Sequence, residues 1–313
     1  MNKTPNNKIK LKSIGRPKKA EIKISRYGKN MNINKDDIIP ASLIKTSIIS
    51  SEEHEYLTLF IKSDNSFPWV NLLNILKSNG LIYINITFSK TGIVINNTQE
   101  DLSRICIRLM MENMISYKVK ERTTIRIETN QLFKVFKTIK KKGKFLMLID
   151  KKLEYLDIAV MNKNKTKKYS IKLQTNIDIK EYYITATNKN YDLIFIIESE
   201  YFLSTCKDMN EFKINDFTMS NNNNECSINW SNDKLICFNT IPRGDHELIY
   251  CKELKDNDDV IKKEYKLNTF FKYSNASKIS KILKIYVSKD DSFPSVLEYD
   301  IDNNFGVFQI FIN

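Results

Sequence analysis

Seven glycines in 313 residues, none of them grouped, leave no glycine-rich loop of the kind that cradles phosphates. Histidine is scarcer still. His54 and His246 lie far apart, and neither has a cysteine or carboxylate at metal-ligand spacing, so no metal and no cofactor is expected. The five cysteines (Cys106, Cys206, Cys226, Cys237, Cys251) are odd in number and contain no CxxC pair. That argues against a disulfide frame or zinc knuckle and reads as reduced thiols of an intracellular protein. No apolar run approaches the roughly 18 residues of a membrane helix, and the N-terminus is too polar and basic for a secretory signal. A soluble chain without membrane partners is expected, and with no cluster of carboxylates or histidines, not an enzyme.

What is present is a repeat. Residues 129 to 149 (TNQLFKVFKTIKKKGKFLMLI) align without a gap on 267 to 287 (LNTFFKYSNASKISKILKIYV), matching Asn130 to Asn268, Phe133 to Phe271, Lys134 to Lys272 and Lys140 to Lys278. Each copy reads as a basic helix followed by a strand of alternating apolar residues. FPWVNLLNILKSNG (67 to 80) and EYFLSTCKDMNEF (200 to 212) read as a second pair of helices, each ahead of strand-like sequence. The length suits about two domains. The fold class expected is α+β, two duplicated domains with helices on one face of antiparallel sheets. Residues 1–54 read as a basic, mostly disordered arm, 55–175 as the first domain, 176–190 as a connector and 191–313 as the second domain. The second helix is expected over 129 to 141, and a strand over 114 to 127.

Charge is unevenly placed. Residues 1 to 50 carry twelve Lys and Arg against Glu21, Asp36 and Asp37, a net of +9, which leaves only +4 of the total +13 for the duplicated body. Within the arm, Gly15-Arg16-Pro17-Lys18-Lys19 is similar to the core of an AT-hook, in which the Arg enters a narrow A·T minor groove and flanking cations meet phosphates. A nuclear-import signal and a plain basic tail stay open as alternatives. In the body, Leu132, Val135, Phe136 and Ile139 share one helical face, with Lys134 and Lys137 opposite. Trp69, Leu72, Leu73 and Leu76 repeat the plan with Lys77 outward, and Phe202, Cys206 and Met209 repeat it with Lys207 outward. The fourth helix is expected to expose Lys272, Lys278 and Lys281. Such faces can be merely solvated. Four of them, interrupted by Asp208, form a layer that attracts phosphates without reading bases.

FKVFK (133 to 137), YFLSTCKDM (201 to 209), PSVLEYDI (294 to 301) and the closing VFQIFIN (307 to 313) resemble, in order and spacing, the DNA sliding clamps of the proliferating cell nuclear antigen family, including clamp-like proteins of large DNA viruses. The resemblance covers about 56 to 313. It implies a head-to-tail homotrimer whose helices line a hole around double-stranded DNA, with Lys77, Lys134, Lys137, Lys207 and Lys278 at pore positions. Ser204 stands where the family often has Arg. The resemblance also implies a trimer interface of Tyr169, Ile171 and Leu173 against Leu235, Ile236 and Phe238. It further implies a partner-peptide groove of Pro294, Ile310, Phe311 and Ile312 facing Tyr182, Tyr183 and Ile184 of the connector. Ordinary core and strand packing is the other reading of the groove residues.

The function expected is a processivity factor that tethers a DNA polymerase and other clamp-binding proteins, in the nucleus or, for a virus, at a cytoplasmic replication site. Two alternatives stand beside it: a clamp-fold viral transcription factor that does not encircle DNA, and a nucleic-acid-processing enzyme, against which the missing carboxylate cluster argues.

Overall fold

The computed structural model describes residues 57–99, 103–140, 143–162, 165–174, 191–222, 225–241, 250–253, 261–301 and 304–313. Arg16, Lys18 and Lys19 of the arm and Tyr182, Tyr183 and Ile184 of the connector lie outside them.

The first half runs β1 (Leu57–Ser63), α1 (Phe67–Ser78), β2 (Tyr83–Ser89), β3 (Gly92–Thr98), β4 (Arg104–Met110), β5 (Ser116–Val119), β6 (Thr123–Glu128), α2 (Thr129–Phe136), β7 (Lys144–Asp150), β8 (Tyr155–Asn162) and β9 (Lys165–Lys172). The second half repeats that order as β10 (Leu193–Glu198), α3 (Ser199–Glu211), β11 (Asp216–Asn222), β12 (Glu225–Asn232), β13 (Leu235–Ile241), β14 (Tyr250–Glu253), β15 (Ile261–Lys266), α4 (Leu267–Ser274), β16 (Ile282–Val287), β17 (Ser295–Ile301) and β18 (Gly306–Ile312). The gapless repeat seen in the sequence is thus one helix and one strand of a whole duplicated unit.

Local chemistry sets the helix bounds. Pro68 sits in the first turn of α1, where its missing N–H costs nothing. The helix closes at Gly80, whose φ of +79° only glycine adopts cheaply, with Leu81 N–H bonded to Leu76 O and Gly80 N–H to Lys77 O. α2 stops at Phe136, five residues short of the expected end. Asn162 of β8 takes over there: its Oδ1 accepts from Lys140 N–H at 3.0 Å and its Nδ2 donates to Thr138 O at 3.2 Å. The stretch 114 to 127 is divided into β5 and β6 rather than continuous.

Among the described residues three antiparallel sheets result. Their orders are β5-β1-β7-β8-β9, β13-β12-β11-β15, and a nine-stranded β14-β10-β16-β17-β18-β4-β3-β2-β6 that runs through both halves. The four helices pack on the sheets over a shared core. In the first half Trp69, Phe136 and Phe145 pack together with ring centroids 4.9 to 6.4 Å apart, and in the second Phe217, Tyr265 and Phe270 do so at 4.8 to 5.6 Å, mostly tilted or edge-on. Aromatic pairs at these separations add about 0.5–1.5 kcal/mol each beyond area burial.

The halves meet where β18 pairs with β4, from Gly306↔Leu109 to Phe311↔Arg104. The approach is so close that a Cβ on Gly306 would lie 2.0 Å from Arg108 O, so the junction requires glycine. Behind it the buried Ser103 hydroxyl and Tyr273 OH share a 2.9 Å hydrogen bond.

Candidate nucleic-acid interface

On the solvent side of the helices, Lys77, Lys134, Lys137, Lys207, Lys278 and Lys281 are exposed. Two of them converge on one ring. Lys77 Nζ lies 4.9 Å and Lys137 Nζ 5.9 Å from the centroid of Phe133, so α1 and the cap of α2 each present an ammonium held by the same aromatic ring. Each such contact contributes about 0.5–1 kcal/mol at an exposed site. Phe133 carries this arrangement and was not among the expected site residues; its signal in the sequence was the Lys-flanked FKVFK.

Three expectations change. Lys272 is half-buried and its ammonium donates to Gln99 Oε1, so it helps tie α4 to the loop after β3 rather than standing free for phosphate. α4 ends at Ser274. Lys278 therefore closes a separate 3₁₀ turn, Asn275–Lys278, and Lys281 sits just before β16, so neither belongs to the helix. Finally, Asp208 is not the single acid of the layer, because α3 also exposes Glu200 and Glu211.

Of the six strands that end the three sheets, two matter here, and neither has a paired strand on its outer side among the described residues. β9 ends the five-stranded sheet and β13 the four-stranded one. On β13 Phe238 is 72% exposed and Ile236 65%, with Leu235 beside them. On β9 Ile171 is buried, Leu173 just beyond the strand is buried too, and Tyr169 is partly buried against the core. Lys165, Lys167, Lys168 and Lys172 are exposed there.

The face of the nine-stranded sheet away from the helices carries a second, small apolar cluster of Cys106, Tyr191, Ile194, Tyr286, Val296 and Phe311. Strand alternation decides which groove residues belong to it. Phe311 does, whereas Ile310 and Ile312 point into the helix-side core and are removed from the expected groove. Pro294 is partly buried at the start of β17. Beside the cluster Glu298 Oε1 accepts from Lys284 Nζ and Tyr286 OH, both at 3.2 Å, and its Oε2 accepts from Gln309 Nε2 at 2.7 Å. Burial works against the Lys284 charge, but the Asp300 oxygen at 2.7 Å and Glu298 outweigh it and raise its pKa. Burial also pushes up the Cys106 thiol and the hydroxyls of Tyr191 and Tyr286, that of Tyr191 to about 12.

No family model matches the chain. A curated relative, a probable DNA polymerase sliding clamp of Paramecium bursaria Chlorella virus 1, is 23% identical over 227 residues, covering 69% of this chain and 82% of that protein. The crystal structure of proliferating cellular nuclear antigen from Entamoeba histolytica superposes with a TM-score of 0.69 at 16% identity, over 82% of this chain and 98% of that one. The chain has the PCNA-type clamp fold.

Within this clamp fold the tyrosines give a check on packing. Tyr117 OH bonds Ser89 O and Gly92 O at 2.8 Å each, joining β5 to the β2–β3 turn, and burial pushes its pKa, like that of Tyr191, to about 12. A raised folded-state pKa stabilises the neutral form, so the contribution is complete below the unfolded value near 10 and is lost as pH rises toward 12. Absorbance titration should therefore show a tyrosine fraction that ionises only together with unfolding above pH 10. Complete ionisation near pH 10 with the fold intact would contradict this packing.

Among the described residues no group of His, Cys, Asp and Glu could hold a metal ion, and no helix is long and apolar enough to cross a membrane.

Proposed function

We propose that the chain is a sliding clamp: three copies join head to tail around duplex DNA and tether a DNA polymerase and other replication and repair proteins to it. The observation that carries this reading is the pair of open strands. Within the chain, β18 of one half pairs with β4 of the other. β9 is the duplicate of β18 and β13 the duplicate of β4, and among the described residues each keeps one edge unpaired. Repeating the internal junction between copies joins β9 to β13, and a heterologous contact of this kind closes into a ring when its rotation divides the circle. An open apolar edge such as β13 would otherwise invite aggregation.

The clamp fold supports the number three, and the name of the viral relative supports the role. A closed ring cannot leave DNA sideways, so weak and mobile phosphate contacts from Lys77, Lys134, Lys137 and Lys278 suffice, and sliding stays easy. Partner peptides dock on the outer face. Three buried polar atoms there, Arg126 Nε, Asn85 Oδ1 and Gln309 Oε1, have no hydrogen-bond partner among the described residues, and they lie in one cross-strand row. Each such group costs about 1–3 kcal/mol until a covering segment satisfies it. Solution mass tests the central point: three times the 36.8 kDa chain mass supports the ring. A protein that stays monomeric at micromolar concentration sinks it and favours a clamp-fold protein acting on DNA without encircling it.

The arm supplies the first, non-topological grip, since its net +9 is most of the chain's charge. If Arg16 enters a minor groove, Arg16→Ala selectively removes a preference for A·T-rich over G·C-rich duplexes, measured at two salt concentrations. Arg16→Lys that binds like the original on both duplexes overturns the minor-groove role and leaves a plain basic tail.

A further inference from the structure

We infer that only one side of the helix layer grips duplex DNA: α1, α2 and the Asn275–Lys278 turn hold phosphates, while the exposed stripe of α3 repels them. This rests on the clamp reading and deepens it.

The gripping side is assembled from three segments. Lys77 and Lys137 share the Phe133 ring, and Lys134 is exposed on the same helix pair. Asn71 Nδ2 of α1 donates to Lys278 O at 3.5 Å, which places the Lys278 turn next to α1 across the boundary between halves. No acidic residue occurs within α1, α2 or the turn.

α3 has the opposite character. Ser199, Phe202, Thr205, Cys206 and Met209 are buried, which fixes the opposite face. At 100° per residue that face carries Glu200, Ser204, Lys207 and Glu211, at spacings of four, three and four, with exposed Asp208 on its flank. Three carboxylates against one ammonium leave α3 at a net charge of −2. Within about 8 Å, the screening length at physiological salt, this charge acts on a phosphate passing over the helix. A ring of such chains therefore alternates attractive and repulsive arcs. The repulsive arcs lower the grip that the attractive arcs would otherwise exert on every phosphate, which favours movement along the duplex.

The test uses the full chain and a short duplex, with affinity measured at two salt concentrations. The arm is present in every variant, so ratios between variants report the body. All substituted side chains are exposed, and solution mass confirms assembly. Glu200→Gln combined with Glu211→Gln is expected to tighten binding about three- to tenfold and to lose that gain at high salt. Lys137→Glu is expected to weaken binding about tenfold or more, and Lys207→Glu by less than about twofold. Equal losses at Lys137 and Lys207, or no gain from the glutamines, overturn the one-sided grip while leaving a clamp that holds DNA all round. Silence at every one of these positions overturns both this inference and the pore assignment beneath it.

Discussion

Phe238→Lys is expected to convert the assembled protein into monomers, whereas Phe238→Asp should only weaken assembly. The difference follows from register. The internal junction pairs Gln309 with Cys106 and Phe311 with Arg104. Following the ladders outward, Phe308 pairs with Tyr299 and Tyr299 with Leu283, while Lys167 pairs with Val160 and Val160 with Phe145. Phe145 and Leu283 are equivalent in the repeat, so Lys167 is the duplicate of Phe308 and Lys168 of Gln309. The same walk through β6, β2, β3 and β4, and through β15, β11, β12 and β13, makes Phe238 the duplicate of Cys106. In the proposed junction between copies, Lys168 of β9 would thus lie opposite Phe238 of β13, and Ser170 opposite Ile236.

Phe238 is 72% exposed in the single chain, so covering it contributes about 1.5–3 kcal/mol at each interface. A lysine there forfeits that contribution and faces Lys168 directly, a like-charge pair that is destabilising across strands. An aspartate forfeits the same contribution but meets an opposite charge. Lys168→Glu should accordingly restore trimers in the Phe238→Lys background. Analytical ultracentrifugation of the four proteins distinguishes the cases. Trimers from the single Phe238→Lys protein would remove the β9–β13 junction, and failure of the charge swap would shift its register.

The architecture was legible because it is written twice. Thr129 and Leu267 each open a helix, and Lys144 and Ile282 each open the strand behind it, as the gapless alignment requires. Alternation then exposed the sheet faces wherever one face is polar, as in TTIRIE of β6. It failed in VFQIFIN, where both faces are apolar. The parity of Ile310, Phe311 and Ile312 is set only by the pairing of Phe311 with Val296 and Arg104, partners far away in sequence. The segment just after α2 has the same origin, since the group that holds its Thr138 and Lys140 backbone, Asn162, arrives from β8. Lys272 looked like its repeat partner Lys134, but Gln99 is near it only in the folded chain. Glu200 and Glu211 were readable throughout from helical spacing, and the expectation of an almost acid-free layer overlooked them.

The largest effect on DNA should come from Lys134→Glu combined with Lys137→Glu. Both side chains are exposed at the C-terminal end of α2, one within its last turn and one at its cap, so reversal leaves the core and the β9 and β13 edges of the proposed trimer untouched. Each copy then changes two attractive charges into two repulsive ones, repeated three times around the proposed ring. Every phosphate that is no longer neutralised lowers the salt dependence of binding by about 0.9 in the log–log slope, so a fall of roughly 2 to 5 is expected, with affinity down on the order of 100-fold at low salt. Phe133 should act through Lys137 and Lys77 rather than directly. Phe133→Leu keeps an apolar side chain in a position that is 9% exposed but removes the ring face beneath both ammoniums. It should weaken binding about two- to fivefold alone, consistent with about 0.5–1 kcal/mol for such an interaction, with a smaller further effect once Lys137 is already glutamate. Additive effects would mean that Phe133 serves packing alone. An unchanged salt slope in the double reversal, with trimers confirmed, would mean that the body of the ring does not touch phosphates on this face and that the arm alone holds the DNA.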